Sequence, residues 1–142
     1  MPRIGLFNMT LGFLLIFLAA SGGAFVAVNA THRFLEGEIA ARWGEVLQAS
    51  SHGHTSLFGL IHILFGLTLP YSMLSQKTKV LQTVGIAFGA LAMGPMMLVR
   101  SAFGPSSSYE GVGVVLGVML SVALGAICIH VYGLMLSLLK RA

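Results

Sequence analysis

Four stretches of this sequence carry no charged side chain for at least as long as a bilayer is thick, and that restricts the chain to one kind of fold. They cover residues 4–30, 56–75, 80–99 and 112–139, and a spanning helix needs about 20 such residues. In hydrocarbon every backbone N–H and C=O must be paired within its own segment, so each stretch is expected to be a helix. Hydrophobic residues make up 56% of the chain against 8% charged, a balance outside the range of soluble domains. The expected fold class is all-α: one integral membrane domain, a four-helix bundle. A secretory signal would have an apolar core of roughly 7 to 15 residues, about half the first run, so that run is read as a retained helix.

Charge reports topology. Arg3, Lys77, Lys79, Lys140 and Arg141 fall on one side of the four spans with no acid among them. Basic residues in short loops favour the cytoplasmic side, so both termini are expected there. The opposite, outer side holds Arg33, Arg42 and Arg100 with all the acids, Glu36, Glu38, Glu45 and Glu110. Basic residues occur singly or in pairs rather than as a stripe, which excludes a nucleic-acid surface. The single cysteine, Cys128, cannot form an intrachain disulfide. The expected location is a membrane of the bacterial inner, or plasma, type.

The outer connection between the first two runs has helical periodicity of its own. Leu35, Ile39, Trp43, Val46 and Leu47 recur at three- and four-residue steps, and charged residues occupy the other faces. This predicts an amphipathic helix over about 33–48, at the membrane surface, with Trp43 as an interfacial anchor. SQKTK reads as a tight polar turn joining antiparallel neighbours, and Gly104-Pro105 as a break in the last outer loop. Gly94-Pro95 predicts a kink in the third span, because proline removes one helical hydrogen bond. Gly85 and Gly89, and Gly113, Gly117, Ser121 and Gly125, recur at four-residue steps that let helix backbones approach closely. Such ridges predict partner helices, from other membrane subunits or from a homo-oligomer.

The functional candidates are histidines. Ionisable groups inside hydrocarbon are costly, so His62 and His130 mark a site by default. Taking each run's midpoint as the bilayer centre, about 1.5 Å per residue puts His62 roughly 5 Å to the outer side and His130 about 8 Å to the inner side. His54 comes out near the hydrocarbon edge. Imidazole is a good haem ligand, and facing helices can hold a b-type haem between two such groups. Gly22, Gly23, Gly94 and Ser121 form a layer of small residues near His62 that suits a flat cofactor. Arg33 and Arg100 stand at outer helix ends where propionates take partners. The second axial ligand stays open between His130, the nearer Met96 and Met97, and a separate pairing of His54 with His32.

Other chemistry is open to the same residues. His52, His54 and His62 are candidate ligands for copper or zinc, although His52 and His54, two apart, point to different faces of a regular helix. Quinone or proton handling by His62 is a further reading. No carboxylate lies in any run, against an acidic proton pump. No nucleophile constellation, phosphate loop or zinc-protease motif occurs, so the chain is not expected to be an enzyme by itself.

The stretch SHGHTSLFG, residues 51–59, resembles the histidine-bearing second helix of the haem-copper oxidase catalytic subunit and its small membrane relatives. There a His-Gly or His-x-His pair opens a helix followed by Phe-Gly or Leu-Gly, and the histidine ligates a low-spin haem. The resemblance implies His52 in a His-Gly alignment and His54 in a His-x-His alignment. The copper ligands and other haem-ligating helices of that family have no counterpart here, so oxygen reduction is not implied. The reading that joins these expectations is a small haem-b subunit passing electrons within a respiratory-type complex, with a non-catalytic accessory subunit as the alternative.

Overall fold

The computed structural model describes residues 3–35, 43–101 and 111–140, and side chains within these except 28–35 and 43. The chain is an all-α, four-helix bundle. Helix α1 runs Arg3–Leu35 and α2 runs Trp43–Thr68. A 3-10 turn, Leu69–Tyr71, then leads to α3, Gln76–Leu91. A π-helical turn, Ala92–Met96, joins α3 to the short α4, Met97–Ser101, and α5 runs Val112–Leu139. Among the described residues four stretches are long and apolar enough to span: Arg3–Ala27, Gly44–Tyr71, Gln76–Ser101 and Val112–Leu139. The third therefore comprises α3, the π turn and α4.

Burial is inverted relative to a soluble bundle, as a hydrocarbon solvent requires. Phe13, Phe17 and Phe25 on α1 and Leu138 and Leu139 on α5 point outward, while Asn8, His62, Gln82 and Thr83 are buried. Large apolar side chains lose nothing by facing lipid. Amides and imidazoles must find partners inside.

α2 is the organising helix: it packs along α1 on one side and against the third span on the other, and the third span packs against α5. Glycine sets the α1–α2 spacing. A side chain at Gly12 would meet the Gly59 carbonyl at 2.5 Å, and one at Gly66 would meet the Gly5 carbonyl at 2.6 Å. These two glycine pairs bring the backbones into contact, the close approach that drives helix association in membranes. Of the ridges expected from sequence, Gly85 and Gly89 pack on Ala126 and Ala123 of α5. Gly117 and Gly125 face open space, so the α5 ridge does not build this bundle.

Phe58, Phe65, Ile86, Ala90, Ala123 and Ala126 form the apolar core between α2, α3 and α5. Ser137 Oγ donates to the Tyr71 carbonyl at 2.6 Å, which ties the end of α5 to the α2–α3 connection. Arg3, that connection and Lys140 thus share one face, called the termini face below.

Two boundaries differ from expectation. Residues 43–48, read as part of a surface helix, continue without a break into α2; residues 36–42 of that predicted helix lie outside the described residues. SQKTK is not a loop, since Ser75 caps α3 by accepting from the Thr78 N–H and the helix proceeds from Gln76. Gly94-Pro95 does interrupt its helix, and the interruption is a π turn. The break at Gly104-Pro105 lies outside the described residues.

Candidate functional site

Two polar places are built into the bundle, one in each half. Toward the termini face, His62 on α2 is 0% exposed. Its Nδ1 lies 2.8 Å from Asn8 Oδ1. Asn8 is oriented by its own donors: Nδ2 reaches Thr83 Oγ1 at 2.8 Å and the Ile4 carbonyl at 2.9 Å. Thr83 Oγ1 in turn donates to the Lys79 carbonyl at 3.1 Å. With its amide so committed, Asn8 Oδ1 accepts, His62 Nδ1 carries the proton, and Nε2 keeps a lone pair. One chain of bonds therefore fixes α1, α2 and α3 around a single imidazole tautomer.

His130 on α5 stacks on Phe65 with ring centroids 4.1 Å apart. Its Nε2 is 2.8 Å from Thr68 Oγ1, whose own proton goes to the Leu64 carbonyl at 2.6 Å. Nε2 is therefore the donor and Nδ1 keeps the lone pair. Phe65 is one turn from His62, so the two histidines share a level to within about 5 Å of helical rise. The larger separation expected from sequence came from placing the second span at 56–75. The helix actually begins at Trp43, which moves His62 into the same half as His130.

In the other half a cleft of about 410 Å³ opens between α1, α2 and the π turn. Gly22, Ala19, Leu15, Gly94, Pro95 and Leu98 wall it, and Gln48, Ser51, His52 and Thr55 supply its polar atoms. The His52 ring fills the space beside Gly23 that a side chain there would need. His52 Nδ1 is 2.7 Å from the Ala19 carbonyl, which can only accept, so Nδ1 carries the proton and Nε2 the lone pair. Ser51 Oγ donates to the Gly94 carbonyl at 2.9 Å, using a backbone group in the π turn. Thr55 Oγ1 donates to the Ser51 carbonyl at 2.7 Å.

No protein-family model, curated protein or solved structure matches this chain. The site must be read from its own geometry. Two sequence candidates, His62 and His130, come together at one level. His54 does not join them: its Nδ1 turns back to the Ser50 carbonyl at 2.8 Å. His52 and His54 stay on different faces, and among the described residues no three of His, Cys, Asp and Glu gather as a metal site would require. Met96 ends the π turn and Arg100 lies in α4, both half-buried. The side chains of His32 and Arg33 lie outside the described residues.

Haem can be tested against both places. His62 holds the ligating tautomer, but it is fully buried in the packed interior, and a macrocycle does not fit there without opening the core. Of the small-residue layer expected beside His62, Gly22, Gly23 and Gly94 lie instead beside His52, and Ser121 is exposed on α5. A ligating histidine normally donates its other ring N–H to a carbonyl or carboxylate, as His52 does to Ala19. Asn8, Gln82 and Thr83 are not ionisable, so the sequence does not mark them as it marks the histidines. An amide in an apolar run is the same kind of signal, and Asn8 and Gln82 both stand in one.

Proposed function

We propose that this protein is a small membrane subunit that holds a flat, largely apolar redox group of the haem b class in the cleft beside His52, and passes electrons within a larger membrane complex. One observation carries the reading: His52 is held by Ala19 through Nδ1, which leaves Nε2 unprotonated, and a glycine-walled cleft lies beside its ring. The cleft volume falls within the roughly 300–1,000 Å³ of cofactor pockets, which are mostly apolar with few placed polar groups. In this reading His52 would hold the group through Nε2, Gly22 and Gly94 would admit the ring, and Gln48 would offer a hydrogen bond at the rim. The group would supply one-electron chemistry, and the chain an imidazole nitrogen and a low-dielectric wall that set its potential. The termini face is cytoplasmic, so the cleft opens in the outer half, on the side of Arg33 and Arg100. Quinone is the electron partner that reaches such a cleft through lipid.

A reduced-minus-oxidised absorption spectrum of detergent-purified protein, kept with its native neighbours, tests this directly. A b-type signal is expected in wild type, absent in His52→Ala and retained in His62→Phe. Loss in His62→Phe with retention in His52→Ala would move the ligand to the other half. A colourless wild type would leave an accessory subunit in its place.

A further inference from the structure

The two histidines of the termini half share a feature that electron transfer in the outer cleft does not use. His62 Nε2, His130 Nδ1 and both polar atoms of Gln82 are buried and have no hydrogen-bond partner among the described residues. These residues are 0%, 5% and 1% exposed, on three different helices. They also lie at one level. Thr83, the neighbour of Gln82, is bonded through Asn8 to His62. Gln82 is one turn from Ile86 and His130 one turn from Ala126, and Ile86, Ala126 and Phe65 share the core to which the His130 ring is stacked.

Leaving such groups buried and unpaired is costly, so their convergence on one level points to a ligand. Its chemistry follows from the atoms. Two imidazole lone pairs and the Gln82 oxygen accept, and the Gln82 nitrogen donates. A metal cation would find neutral ligands only, because among the described residues no carboxylate is buried and the cysteine is exposed. A divalent charge resident there is expensive, whereas an excess proton only passes through. A neutral molecule with two protons to give and lone pairs to accept matches all the groups.

We infer that the termini half of the bundle binds water between His62, Gln82 and His130, about one or two molecules at the usual ~3 hydrogen bonds each, and that this water joins the histidines into a proton-exchanging pair. The step balances without a co-reactant. An excess proton on His130 Nδ1 passes to the water oxygen while the water gives one of its own protons to His62 Nε2. One N–H bond breaks, one forms, and the water is restored. Gln82 is the positioning residue: it accepts from or donates to the water and does not itself titrate. The inference is independent of whether the outer cleft holds haem.

The test uses the full chain with histidine labelled in ¹⁵N, reconstituted in lipid vesicles, and magic-angle-spinning NMR with magnetisation transfer from water. Transfer to both rings is expected despite their burial, with His62 protonated at Nδ1 and His130 at Nε2. In D₂O both ring N–H protons should exchange ahead of the backbone amides of the same helices. Gln82→Leu should abolish the transfer at both rings and slow that exchange, with His52 and His54 unchanged. Rings that receive nothing from water in the wild type overturn the inference, as does transfer undiminished in Gln82→Leu. If that variant does not fold, His130→Phe, which keeps an aromatic ring against Phe65, serves in its place. It should weaken transfer to His62, and an unchanged His62 signal overturns the inference equally.

Discussion

Asn8 shows how much one amide can organise in a membrane interior. It accepts from His62 and donates to Thr83 and to its own helix, so its removal orphans groups on two other helices. Asn8→Leu keeps the branched shape and loses every bond, and should lower stability by about 1–3 kcal/mol, toward the lower end because the unfolded chain in lipid also finds partners. Unfolding in mixed detergent micelles measures it, with Ser21→Ala as the control: Ser21 is exposed and bonds only within its own helix. An equal loss in both variants would remove the network from the account of stability. Gly23 makes a second prediction at this scale. A methyl there meets the His52 ring, so Gly23→Ala should displace His52 and weaken the absorption signal as His52→Ala does, while an unaltered spectrum would detach His52 from the cleft. That His62 matters was legible in the sequence, since few side chains are as costly in lipid. That Asn8 holds it was not, because the pair is formed across two helices and leaves no spacing to read. His52 looked like an edge residue for the same reason: the cleft belongs to three segments that only packing brings together.

At the scale of elements, the apolar runs identified every span, and the errors fell at their ends. A helix that buries its polar face against neighbours can be less apolar than its lipid-facing average requires. Ser51 is buried on Gly94 and His52 is turned into α1, so α2 extends to Trp43 through a stretch that read as surface. Glycine spacing likewise revealed close-packing faces without saying which of them would be used. Gly12 and Gly59, seven residues from Gly5 and Gly66, make the α1–α2 contact, whereas the four-residue ridge on α5 faces outward. This separates two substitutions of identical chemistry. Gly59→Val forces a side chain against the Gly12 carbonyl and Ile16 and should destabilise by about 1–3 kcal/mol, as overpacking does. Gly125→Val meets nothing and should leave the isolated chain's thermal midpoint in detergent where it was. If both shift the midpoint equally, the α1–α2 crossing described here is wrong.

For the whole molecule, the distribution of charge and the distribution of function point in opposite directions across the membrane. Arg3, Lys77, Lys79 and Lys140 lie on the termini face, and among the described residues no acid is found there. The cleft with His52 opens in the other half, where Glu45 and Arg100 stand near the ends of α2 and α4. Positive charge in short loops is retained on the cytoplasmic side, so the molecule should insert with both termini inward and the His52 cleft toward the exterior. A cysteine introduced at Ser75, between α2 and α3, and another at Gly111, at the start of α5, should then differ in intact cells. A membrane-impermeant maleimide should label Gly111→Cys alone, and Ser75→Cys only after the membrane is opened, with exposed but lipid-facing Cys128 replaced by serine in both. Moving the balance should move the orientation: Lys77→Glu with Lys79→Glu removes two of the retained charges beside Ser75 and should raise labelling of Ser75→Cys from outside. The reverse pattern in the parent protein would place His52 on the cytoplasmic side. Electrons would then have to enter from within, while the water-linked histidines would lie in the outer half of the membrane.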